Sequence, residues 1–204
     1  MRALQTVTLL VATLGAGLMA GLFAAFAYAV MPGLGRSADR TFVQAMQNIN
    51  RTIVNGWFLL PFLLPIPLLV LATVLAWSGP GQVALPWILA ALVLYSAGFF
   101  VTGGVNVPLN NALDHAALDD GRAGPRSARS TGSTSSAGST SSTGSSGSTG
   151  SPGAPADRPD ALKAARERFE GRWVTWNIVR ALAHTAAFGT LAWALFLHGT
   201  AGTG

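Results

Sequence analysis

The chain has no cysteine, which excludes disulfides, thiolate metal sites, iron–sulfur clusters and cysteine nucleophiles. Charge is scarce: a tenth of the 204 residues are Asp, Glu, Lys or Arg, while half are apolar. That balance is unusual for a soluble domain and makes the bilayer the expected solvent. Lys163 is the sole lysine beside twelve arginines, which we read as a codon-level bias without functional weight. The three histidines, His115, His184 and His198, are too dispersed to be expected to meet, so no metal site is expected. The net charge of +5 comes with no nucleic-acid motif and no aromatic interleaving, so nucleic acid is not an expected partner.

What the chain does have is four apolar runs of membrane length, each close to the roughly 20 residues that a helix needs to cross the hydrocarbon. Span one is expected at about 9–31. A signal peptide is the competing reading, with Arg2 as its basic region and Ala25-Phe-Ala27 as a cleavage site, but the run exceeds the usual apolar core of about 7–15 residues. Gly17 and Gly21 share a face there and suggest a close packing surface. Met31-Pro-Gly-Leu-Gly35 is expected to end the span, and Ser37 to cap the next helix. An amphipathic interfacial helix at 38–56 carries Phe42, Met46, Ile49 and Ile53 at steps of three and four, a spacing that runs on to Trp57. It leads into span two, 57–77, where Pro61, Pro65 and Pro67 predict a kink whose freed carbonyls need donors from elsewhere.

Span three, 83–105, places Tyr95, Thr102 and Asn106 on one face, and Pro108 is expected to close it. The chain to residue 120 thus holds three spans. Residues 121–159, rich in Ser, Gly and Thr, lack the apolar groups that offset ordering entropy and read as a disordered linker. Residues 160–204 hold a second amphipathic helix, with an Arg166–Glu170 pair on its wet side, and span four at about 178–197. The fold class is all-α: a polytopic membrane four-helix bundle with amphipathic helices leading into spans two and four.

Eleven of the thirteen basic residues lie in loops one and three. The positive-inside rule therefore puts those loops in the cytoplasm and both termini outside a cell membrane. The same topology gathers Met31 to Leu34, Asn50-Arg51, Asn106 to Asn110 and Trp173 to Arg180 at one membrane face. Trp173, Asn177, Arg180 and His184 recur at steps of four, three and four and form one helical stripe. Arg180 and His184 lie inside the span, where ionisable groups face a partner or a cavity. The amides Asn50, Asn106, Asn110 and Asn177 suit a developing oxyanion, though capping helix ends is their everyday role. Trp173 and Trp176 suit either interface anchoring or stacking.

On Met31-Pro-Gly-Leu34, Phe42-Val-x-x-Met46-Gln-x-Ile-Asn50-Arg51, Asn106-x-Pro-Leu-Asn110 and Phe169-x-x-Arg172-Trp-x-x-Trp-Asn177-x-x-Arg180, the chain resembles a family of small four-span membrane proteins. Long described as a domain of unknown function, that family is related to the anthrone oxygenases. The long Ser/Gly/Thr insertion departs from its compact pattern. The resemblance implies oxidation of an anthrone-like, planar phenolic by O2, with no cofactor. For that chemistry the residues themselves offer His184, Arg180 and Asn177 as catalytic groups, His184 acting as base. Asn50, Arg51, Asn106, Asn110, Trp173, Trp176 and Tyr95 would bind substrate. A non-enzymatic protein that binds or moves a small hydrophobic molecule, and a structural bundle, are the alternatives; oligomeric state is open.

Overall fold

The computed structural model describes residues 2–77, 82–122 and 157–201. The chain is helical almost throughout these residues, and four of its helices are long and apolar enough to cross a membrane. Helix α1 (Arg2–Ala25) runs through one widened π turn, Phe26–Val30, into α2 (Met31–Gly35), and α3 (Asp39–Ile53) follows after a short corner. Span two is α4 (Gly56–Leu63) and α5 (Pro65–Trp77). A 3₁₀ turn, Gln82–Ala84, opens α6 (Leu85–Val101), and a second π turn, Thr102–Asn106, joins it to α7 (Val107–Arg122). Helix α8 (Asp157–Thr200) is continuous over 44 residues and packs on α1 and α6 along most of its length. Of the stretch expected as a linker, only the first two and last three positions are described, and they are helical.

Two expected helix ends are not ends. The chain stays helical through Pro32 and through Pro108, and each proline stands two residues beyond a π turn. A proline inside an α-helix lacks an N–H and strikes the carbonyl four residues back, at about 3 kcal/mol. Here the wider turn shifts the bonding to the fifth residue: Met31 N–H donates to Phe26 and Val107 N–H to Thr102. Such bulges break the α pattern and accommodate the kink.

Span two does kink as expected. Pro65 offers no N–H to the Pro61 carbonyl, and the Tyr95 hydroxyl from α6 donates to both Pro61 and Phe62 carbonyls at 3.0 Å. Gly15 of α1 lies against this kink, where a β-carbon would sit 2.8 Å from the Pro65 ring. The close approach thus belongs to Gly15, not to a Gly17–Gly21 pair: Gly17 abuts the Phe188 ring, and Gly21 has open space around it. In lipid, helices gain little from hydrophobicity and rely on such close contact. Ala12, Ala16, Ala72, Ala76, Ala91, Ala187 and Ala194 are accordingly fully buried where the spans touch.

A second cluster, Phe42, Met46, Leu113, Phe169 and Trp173 among others, fills the end bearing both π turns. Arg166 of α8 closes it. Its guanidinium donates to Glu170 (2.7 Å), Asp39 (2.9 Å) and the carbonyls of Gly35 (2.7 Å) and Ser37 (2.9 Å), with Phe42's ring beneath it at 4.6 Å. The Arg166–Glu170 pair therefore does more than decorate a wet face. Ser37 does not cap α3: its hydroxyl donates back to Leu34, and Ala38 holds the N-cap position without a side-chain bond.

Candidate functional site

Where α8 passes the two π turns, its inward stripe brings Trp173, Asn177, Arg180 and His184 into the interior, all of them buried. Asn177 Nδ2 donates to the Phe23 carbonyl at 3.1 Å, and its Oδ1 accepts from Arg180 Nε at 3.0 Å. The guanidinium lies 4.2 Å from the centre of the Phe23 ring and 5.1 Å from that of Trp173. No carboxylate is paired with it among the described residues, whose ion pairs are Arg51–Asp114, Arg166–Asp39 and Arg166–Glu170. Burying an ion costs several kcal/mol. Each desolvated aromatic face returns about 2 kcal/mol or more, and Asn177 adds a hydrogen bond, so rings and an amide stand where a carboxylate usually would.

Arg180 forms part of the wall of a cavity of about 80 Å³. Asn50, Asn106, Asn110 and Trp173 line it too, so five of the residues singled out in the sequence converge here. Asn50 Nδ2 and Asn106 Oδ1 are buried without a hydrogen-bond partner among the described residues. Asn106 Nδ2 makes only a long 3.5 Å bond to the Trp173 carbonyl, and Asn110 Oδ1 accepts from Trp173 Nε1 at 2.9 Å. The cavity thus offers one cation, one unused amide donor and one unused amide acceptor within aromatic walls.

The other singled-out residues do not line it. His184 stands behind the site: Nδ1 donates to the Arg180 carbonyl at 2.7 Å, which leaves Nε2 as an acceptor, buried and unpartnered among the described residues. The rings of Phe23 and Tyr95 stand edge-on to it at 5.0 and 4.6 Å, and a β-carbon on Gly98 would overlap its ring. Tyr95 serves the proline kink. Arg51 is half exposed and 3.7 Å from Asp114, and Trp176 is partly exposed on the outer side of α8. Asn177 is absent from the lining and reaches it only through its bond to Arg180. His198 sits at the opposite end of the bundle, 3.0 Å from Thr6.

Phe23, Phe26, Ile49, Ile53, Val54, Phe58, Thr102 and Val107 complete the lining; sequence reasoning put Thr102 on the face of Asn106 but named none of the eight as site residues. Ile49 and Ile53 had a signal, since they share a helical face with Phe42. Phe23 and Phe26 had none, because an aromatic within an apolar span is indistinguishable from a lipid-facing one.

Four apolar spans around an inward arginine define an integral membrane protein. A family model described as anthrone oxygenase matches residues 57–190, and the chain belongs to that family. The matched stretch contains Asn106, Asn110, Trp173 and Arg180, while Phe23, Phe26 and Asn50 precede it. No curated protein and no solved structure matches the chain.

Proposed function

We propose that the protein is an oxygenase that acts without a cofactor on a planar, membrane-partitioning phenolic of the anthrone type. The observation that carries this reading is the buried Arg180 guanidinium in the cavity wall, which pairs with no carboxylate among the described residues. An anthrone has an acidic CH2 between two aryl rings, and its enolate spreads negative charge onto the ring oxygen. A fixed cation in a dry site stabilises that charge far better than water does. The Asn50 amide donates a further hydrogen bond to the same oxygen, and Trp173 and Phe23 pack against the rings.

The electron-rich carbon then reacts with O2: two C–H bonds are lost, one oxygen atom becomes the new carbonyl and the other leaves as water. With His184 Nε2 outside the cavity, the proton leaves to hydroxide at the headgroup level, and His184 is a positioning residue that holds the Arg180 turn. A cavity of about 80 Å³ is well below the roughly 300 Å³ of usual ligand pockets. Admission of three fused rings therefore requires the α3–α4 turn at Val54 and the Phe58 side chain to move.

The test is O2 uptake by the purified protein with an anthrone-type substrate. Arg180→Gln is expected to lower kcat/KM by roughly 10²–10³-fold, as removal of one oxyanion donor does, with Arg180→Lys in between. Equal rates in all three would end the proposal. Ligand-dependent quenching of Trp173 fluorescence without O2 uptake would favour a binding protein instead.

A further inference from the structure

We propose that the groove between α7 and α8 holds an anionic phospholipid, independently of any chemistry in the inner cavity. The groove measures about 320 Å³ and is walled by Leu109, Leu113, Ala165 and Phe169, with Arg168 and Arg172 on its rim. The two arginines are four residues apart, so they stand on one side of α8 about 5–6 Å from each other. Both are exposed, and neither belongs to an ion pair among the described residues. Among the described carboxylates, Glu170 and Asp39 are engaged by Arg166 and Asp114 by Arg51, while the exposed Glu167, next to Arg168 in sequence, belongs to no ion pair.

The level is right for a headgroup. Arg172 directly precedes Trp173 and lies four residues before the partly exposed Trp176, the kind of aromatic that marks the membrane–water boundary. Two guanidiniums match a phosphodiester through paired N–H donors, and the apolar walls below match the first methylenes of an acyl chain. A free inorganic anion leaves those walls unused. A zwitterionic headgroup brings an ammonium towards two cations. The chain's own residues 123–156, all of them Ser, Gly, Thr, Pro, Arg or Ala, have no large apolar side chain to fill the groove.

The experiment titrates the full chain in neutral detergent with phosphatidylglycerol, phosphatidylcholine and inorganic phosphate, with bound lipid counted by native mass spectrometry. Phosphatidylglycerol is expected to bind at one site. Arg168→Gln with Arg172→Gln weakens it about 30-fold, the equivalent of about 1 kcal/mol per arginine. Arg36→Gln with Arg40→Gln removes the same charge from exposed positions outside the groove and leaves binding nearly unchanged. Ala112→Trp, which fills the groove and keeps both arginines, also abolishes binding. Equal affinity for phosphatidylcholine, full displacement by millimolar phosphate, or an equal loss in the Arg36/Arg40 variant would each overturn the proposal. So would tighter lipid binding after deletion of residues 124–155, which would make that segment the natural occupant.

Discussion

Gly98 and Gly21 are both helix-interior glycines, yet they respond oppositely to a methyl group because of what stands beside them. At Gly98 a β-carbon would overlap the His184 imidazole, which is wedged between Phe23 and Tyr95 and bonded to the Arg180 carbonyl. Gly98→Ala is therefore expected to cost about 1–3 kcal/mol, the usual range for overpacking, and to disturb Arg180. Thermal unfolding in detergent reads the first effect and loss of O2 uptake the second. Gly21→Ala meets nothing within 4 Å. It should raise the unfolding temperature, since alanine in a helix interior is favoured over glycine by roughly 0.5–1 kcal/mol. The stripe of Trp173, Asn177 and Arg180 was legible in the sequence because one helix's periodicity fixes which residues share a face. Periodicity does not fix depth, however. His184 and Tyr95 lie on inward faces as expected, yet each is enclosed by its neighbours outside the cavity.

Among the elements, the kink in span two shows how a helix and its neighbour share a cost. Tyr95→Phe removes the donor to the Pro61 and Phe62 carbonyls, and an unsatisfied buried acceptor costs about 1–3 kcal/mol. Pro65→Ala restores an N–H for the Pro61 carbonyl, so the hydroxyl becomes less needed. The double variant should then be more stable than the sum of the two single effects by about 0.5–3 kcal/mol. Additive losses in chemical unfolding would show that the hydroxyl contributes nothing to the kink. The kink was legible because proline's missing donor is local chemistry. The continuation through Pro32 and Pro108 was not: a single proline reads as a stop, and only a three-dimensional view reveals the widened turn that absorbs it.

For the whole molecule, the corner held by Arg166 joins α3 to α8 across more than a hundred residues of sequence. Its ion pairs are partly exposed and count for little alone. The two backbone carbonyls of Gly35 and Ser37 have no such substitute, so Arg166→Met is expected to speed amide exchange across α3 while the spans stay protected. Uniform exchange throughout the chain would contradict this division. A four-span bundle was legible from apolar run lengths, whereas the α3–α8 corner was not, because its carbonyl acceptors leave no trace in side-chain pattern. The two π turns carry a wider consequence. Each sits two residues before a proline, and at this end of the bundle α3 and α8 present matching spacing, Phe42, Met46 and Asn50 in one and Phe169, Trp173 and Asn177 in the other. Phe42 meets Phe169 with ring centres 6.2 Å apart, and three positions earlier in each helix Asp39 pairs with Arg166. Arg180 and Ile53 stand at the same step of the two helices, eleven residues after Phe169 and Phe42, and both line the cavity. The two faces that meet there are therefore unlike, one bringing a guanidinium and the other a hydrocarbon, so the lining holds one positive charge and not two set against each other.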